Sequence, residues 1–94
     1  MNKLYKIYVS SELRFELSSN IIIGYCQANN LNLTICRNAG IFNGHLERVN
    51  FVLEYIGNDQ DRTELLKFML YLKKEFKQDC VLFTCINLQD AELI

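Results

Sequence analysis

Polar and apolar residues alternate along residues 4–10, LYKIYVS. Tyr5, Ile7 and Val9 fall on one face and Lys6 and Tyr8 on the other, the period of a half-buried strand. SELRFE then reads as a loop. The segment SNIIIGYCQAN reads as a helix opening at Ser18, whose hydroxyl can accept first-turn N–H groups, with Leu17 and Ile22 spaced for a hydrophobic staple. An earlier start at Ser11 also fits, because Leu13, Leu17, Ile21 and Tyr25 recur every four residues. The later start is preferred, since Ser-Ser-Asn sits poorly inside a helix. Asn29-Asn30 ends the segment. Alternation resumes at residues 32–37, NLTICR, a second strand. Asn43-Gly44 is a strong hairpin signal, and a third strand runs from about Glu47 to Ile56. Gly57-Asn58-Asp59 breaks it. Asp61 followed by Glu64 resembles a capping box. Leu65, Met69, Leu72 and Phe76 then mark one face of an amphipathic helix ending near Gln78. Residues 81–87, VLFTCIN, form a fourth strand. The tail QDAELI, where Ala91 and Leu93 alternate, extends it or pairs with an edge.

The resulting order is β-α-β-β-α-β. Right-handed crossovers place both helices on one face of the sheet. The expected architecture is α+β: a ferredoxin-like sandwich with one antiparallel sheet and two helices on one side, in a single domain over residues 1–94. Tyr8, Val52, Ile56, Leu82 and Ile86 are candidates to line the other sheet face. An apolar second face on a small sheet usually meets a partner, so a homo-oligomer is expected.

Composition narrows the function classes. Half of the 94 residues are hydrophobic and 22% are charged, which suits one globular domain. Ten basic and eleven acidic residues are interspersed for a net charge of −1, so no basic face favours nucleic acid. The N-terminal apolar stretch is too short and interrupted for a signal peptide, and no apolar run is long enough to span a bilayer. A cytoplasmic protein without membrane association is expected. Cys26, Cys36, Cys80 and Cys85 make no CxxC pair and lie far in sequence from His45, the single histidine. Metal-ligand spacing is absent, and the four thiols read as reduced, mostly buried small hydrophobes. GxGxxG, P-loop and HExxH motifs are also absent. His45 reads as a polar turn residue.

Two segments carry a more specific signal. One contains Gln78-Asp79-Cys80-Val81-Leu82, leading from a helix into a strand, with Ala91 and Leu93 in the tail. The other contains Gly40-Ile41-Phe42, the turn, and then Glu47-Arg48-Val49 entering an alternating strand. Together with Tyr8-Val9-Ser10 on the first strand, they resemble, in order, the bacteriophage S-adenosylmethionine (SAM) lyases, formerly called SAM hydrolases. The chain departs from that pattern in a reduced first helix, a shortened hairpin, and Phe42 where the family has a tyrosine whose hydroxyl helps organise the substrate. The resemblance implies that either Tyr8 or Tyr25 supplies a replacement hydroxyl, or that the protein binds without turning over well.

The implied reaction asks little of the protein. The carboxylate of SAM attacks its own γ-carbon and displaces a neutral thioether, giving homoserine lactone and methylthioadenosine with no cofactor and no metal. The resemblance assigns Glu47 as the catalytic residue, anchoring the substrate ammonium by a charge-assisted hydrogen bond. It assigns Phe42, Tyr8 and Ser10 to substrate binding, with the Phe42 ring facing the cation. It further implies a homotrimer with sites between subunits and a phage counter-defence role through depletion of the methyl donor. The alternative is a non-catalytic ferredoxin-like oligomer that binds a nucleotide-like ligand or a host protein. A third possibility is an interaction module that uses only its sheet face.

Overall fold

The computed structural model describes residues 2–46 and 49–89, with only the backbone of Phe42. The first strand, β1 (Asn2–Ser11), is one of two interior strands of the main sheet. Helix α1 (Phe15–Asn29) leads to β2 (Thr34–Asn38). A small hairpin of β3 (Ile41–Phe42) and β4 (His45–Leu46) follows, and then the long strand β5 (Val49–Gly57). A short 3-10 turn (Asp59–Asp61), helix α2 (Arg62–Glu75) and strand β6 (Leu82–Leu88) complete the order. The main sheet runs β2-β5-β1-β6 with every neighbouring pair antiparallel. This is the expected ferredoxin-like α+β sandwich.

Alternation along the strands divides the sheet into two faces. Tyr5, Ile7 and Val9 of β1 and Val49, Phe51 and Leu53 of β5 point to the helices and are buried. Leu65, Phe68, Met69, Leu72 and Phe76 of the α2 segment close over them. Four of these five were legible from helical spacing; Phe68 joins the same stripe. Helix α1 adds Ile22 and Ser18 to the buried set. Tyr5 stacks on Phe83 at 5.6 Å, and Tyr25 lies 4.8 Å from Phe68.

Several local expectations are corrected. Helix α1 begins at Phe15, between the two predicted starts, after Arg14 in an extended conformation. Ser18 is therefore not a cap but a residue of the first turn, fully buried, with Leu17 left 43% exposed. Its hydroxyl donates to Arg14 O at 2.9 Å and is bonded to Ser11 Oγ at 2.8 Å, and Ser11 Oγ also accepts from Leu13 N at 3.0 Å. This back-bonding satisfies a serine buried in the first turn of the helix. The capping box forms one turn before the position expected. Gln60 N donates to Asn58 Oδ1 and Asn58 N to Asp61 Oδ2, each at 2.9 Å. Asp61 is thereby occupied and makes no side-chain cap to α2. That helix ends at Glu75 because Lys77 adopts a left-handed φ of 55°, and Gln78 N then bonds Lys73 O at 2.9 Å. Strand β2 starts two residues later than expected, after a coil at residues 31–33.

The thiols are free but not mostly buried: Cys36 and Cys80 are exposed and Cys26 and Cys85 are half-buried. Cys36 lies on the uncovered face of edge strand β2, and Cys80 in the loop before β6, so neither meets the core. Burial pushes the Cys26 thiol pKa up.

Candidate functional site

The uncovered sheet face is organised in rows set by the strand register. Ile86, Leu4 and Ile56 form one row. Thr84, Lys6, Glu54 and Thr34 form the next, with Lys6 Nζ 4.0 Å from Glu54 Oε2. Leu82, Tyr8, Val52 and Cys36 make a third, and Ser10, Asn50 and Asn38 a fourth. All five residues expected to line this face do so. Ile56, Leu82 and Ile86 are each more than half exposed.

The fourth row is a polar chain. Ser10 Oγ donates to Asn50 Oδ1 at 2.5 Å, and Asn50 Nδ2 donates to Asn38 Oδ1 at 2.6 Å. Asn38↔Asn50 is the last β2–β5 pair, so this chain crosses the root of the excursion that carries β3 and β4. Gly40 is packed onto it: a Cβ there would stand 2.9 Å from Asn50 Nδ2. The hairpin turns through Asn43 and Gly44, whose φ values of 52° and 77° are those of a type I′ turn between the paired Phe42 and His45. Only glycine takes the second of these positions without strain.

The site residues expected from sequence are distributed as follows. Tyr8 and Ser10 share the uncovered face in adjacent rows. The backbone of Phe42 lies in β3. Glu47 falls outside the described residues, as do Ala91 and Leu93 of the tail. Val49, two positions after Glu47, pairs with Ser11 at the same end of the sheet. Tyr25, one of two candidates to replace the missing hydroxyl, packs its ring against Phe68 and Tyr71, each at 4.8 Å, on the helix side of the sheet, whereas Tyr8 lies on the uncovered face. Asn38 and Asn50 were missed, because an asparagine at a strand end carries no periodic signal and their pairing depends on the β2–β5 register.

Other features lie elsewhere. A groove of about 620 Å³ opens at the opposite end of the face, between Leu4, Leu33, Thr34, Glu54 and Ile56. On the helix side, the Arg37 guanidinium sits 4.2 Å over the Phe15 ring. Among the described residues no group of three His, Cys, Asp or Glu side chains is placed to hold a metal ion, and no helix is long and apolar enough to cross a membrane.

No family profile matches the chain, and no curated protein matches it by sequence. Solved structures do match. A functionally unknown protein from Pediococcus pentosaceus aligns with a TM-score of 0.70 and 13% identity, covering 99% of this chain and 97% of its own. A phage SAM lyase in the apo state aligns at 0.64 and 17% identity, covering 89% and 78%. The periplasmic divalent cation tolerance protein CutA from Archaeoglobus fulgidus aligns at 0.58 and 11% identity, covering 98% and 88%. Proteins of different names share this backbone, so the likeness establishes the fold, and function must be argued from the site.

Proposed function

We propose that the protein is a phage-type SAM lyase, acting in the cytoplasm as a homotrimer with its sites between subunits. The observation that carries this reading is a convergence. Described residues of the separated segments that resemble the family reach one end of one sheet face. Tyr8 and Ser10 lie on β1, Gly40 packs on Asn50, β5 enters beside Ser11, and Leu82 of the Gln-Asp-Cys-Val-Leu run pairs with Tyr8. The fold shared with a phage SAM lyase supports the same reading.

In this reading a carboxylate oxygen of the substrate bonds to its γ-carbon as the carbon–sulfur bond breaks and its electron pair moves to sulfur. The sulfonium leaves as neutral methylthioadenosine, and the remainder is homoserine lactone. Neither water nor a proton is consumed. The protein's task is to fold the methionine arm, and fixing such a conformer is worth on the order of 7–11 kcal/mol in well-oriented intramolecular reactions. Glu47 anchors the ammonium. The Phe42 ring faces the cation, a contact worth about 0.5–2 kcal/mol. Tyr8 supplies the hydroxyl that position 42 lacks, and Ser10 binds beside it. Charge separation collapses as the lactone closes, which a low-dielectric crevice between subunits favours. Depletion of the methyl donor would blunt methylation-linked host defence.

Chromatography of protein incubated with SAM tests the proposal. Methylthioadenosine and homoserine lactone are the expected products, and Glu47→Gln lowers kcat/KM by at least about tenfold. Absence of product, or undiminished turnover by Glu47→Gln, contradicts it.

A second reading rests on Phe42 itself, which lacks the family's hydroxyl, and on the groove at the opposite end of the face. It makes the protein a non-catalytic oligomer holding a nucleotide-like ligand between Leu4, Leu33 and Ile56. Calorimetric uptake of an adenosine ligand without turnover, abolished by Ile56→Lys, selects it.

A further inference from the structure

The Ser10–Asn50–Asn38 chain has a direction. The Ser10 hydroxyl gives its proton to Asn50 Oδ1, and the Asn50 amide gives one of its own to Asn38 Oδ1. With the Asn38 oxygen engaged, its Nδ2 donors are left for a ligand, and among the described residues no hydrogen bond to a protein acceptor uses them. Asn38 is exposed, whereas Ser10 and Asn50 behind it are half-buried and fixed in the sheet. Gly40 lies against Asn50, where any larger residue would press a Cβ on its amide. The row therefore ends in neutral N–H donors at the root of the hairpin, their amide tethered through its oxygen to Asn50.

We propose that Asn38, oriented through Asn50 and Ser10, is the positioning group for the carboxylate of the bound substrate. This rests on the lyase reading and adds to it the part of the substrate that Glu47 does not hold. The attacking carboxylate must be located without being quenched. A guanidinium or ammonium would stabilise it in the ground state and slow its attack, because an interaction stronger before the transition state than in it raises the barrier. A neutral amide offers a weaker hydrogen bond that fixes direction and leaves the anion nucleophilic. The charged side chains of the sheet face, Lys6 and Glu54, lie two rows away and are paired with each other. Among the described residues, the end of the face that carries Ser10, Asn50 and Asn38 has no charged side chain on β1, β5 or β2.

The test compares two ligands by calorimetry: SAM, which carries the carboxylate, and methylthioadenosine, which does not. Asn38→Asp places a like charge at the proposed position. It is expected to weaken SAM binding by at least about tenfold and leave methylthioadenosine binding unchanged. Asn38→Arg is expected to tighten SAM binding while lowering kcat, a split that a structural role for Asn38 would not produce. Equal effects of Asn38→Asp on both ligands, or none on either, overturn this assignment while wild-type turnover leaves the lyase reading standing. A wild-type protein that neither binds nor cleaves SAM removes both.

Discussion

Tyr5 is 1% exposed, yet it carries a hydroxyl that must be satisfied, and it is: the hydroxyl donates to Asn58 O at 2.7 Å. Tyr5→Phe is expected to cost about 1 kcal/mol in urea unfolding at neutral pH. Burial raises the Tyr5 pKa, and burial together with Asp61 raises that of Tyr55. Lys3, bonded to Asp59 at 2.7 Å, is raised as well. A group whose folded pKa lies above its unfolded value binds more protons when folded, so stability is full below the unfolded value and falls as pH rises through the folded one. The unfolded values lie near 10 for tyrosine and lysine. Wild-type stability should therefore drop as pH rises above about 10, and Tyr5→Phe should show a shallower drop over the same rise. Parallel pH profiles for the two proteins would contradict the assignment. Tyr5 was legible in the sequence as a core residue, but its partner was not, because Asn58 lies in an aperiodic turn.

The strands were largely legible as elements, since alternation with period two survives along β1, β5 and β6. The start of α1 was not. Its apolar repeat is blurred by Ser18, which reads as a cap in sequence but is accepted into the helix because Ser11, at the end of β1, reaches across to bond it at 2.8 Å. Such a contact between consecutive elements leaves no periodic trace. The two serines act as a unit, since Ser11 Oγ also holds Leu13 N at 3.0 Å and shapes the turn into the helix. Ser11→Ala should cost roughly 1–2 kcal/mol, as it strands that amide and part of the Ser18 hydroxyl. The Ser11→Ala, Ser18→Ala double variant should lose less than the sum of the single losses. Strict additivity in thermal unfolding would mean that the pair is not coupled. The capping box shifted for a similar reason: Asn58 reaches Gln60 N and takes the Asp61 carboxylate into its own turn, so α2 starts at Arg62 behind Asp61 as expected but without a side-chain cap.

For the molecule as a whole, helices cover one sheet face and leave the other open, with Leu4, Tyr8, Val52, Leu82 and Ile86 along it. Small domains bury a limited fraction of their surface, and an apolar face of this kind is normally covered by association. The proposed homotrimer should therefore be visible by sedimentation. Leu82→Lys with Ile86→Lys, both more than half exposed and so tolerable in the monomer, should dissociate it. A wild-type protein that sediments as a monomer at all concentrations would contradict association through this face. The fold and the open face followed from alternation and chain order. The Asn38–Asn50–Ser10 chain needed the strand register, because its members are dispersed in sequence and joined only across three strands.

The central claim is that the substrate's own carboxylate is the nucleophile. It is tested most directly by mass spectrometry of the product formed from SAM in water enriched in oxygen-18. The account predicts methylthioadenosine and a homoserine lactone that carries no solvent oxygen at early times, since the ring oxygen comes from the substrate. Homoserine bearing one solvent oxygen on its γ-carbon as the first product, or no cleavage of SAM at all, would contradict it.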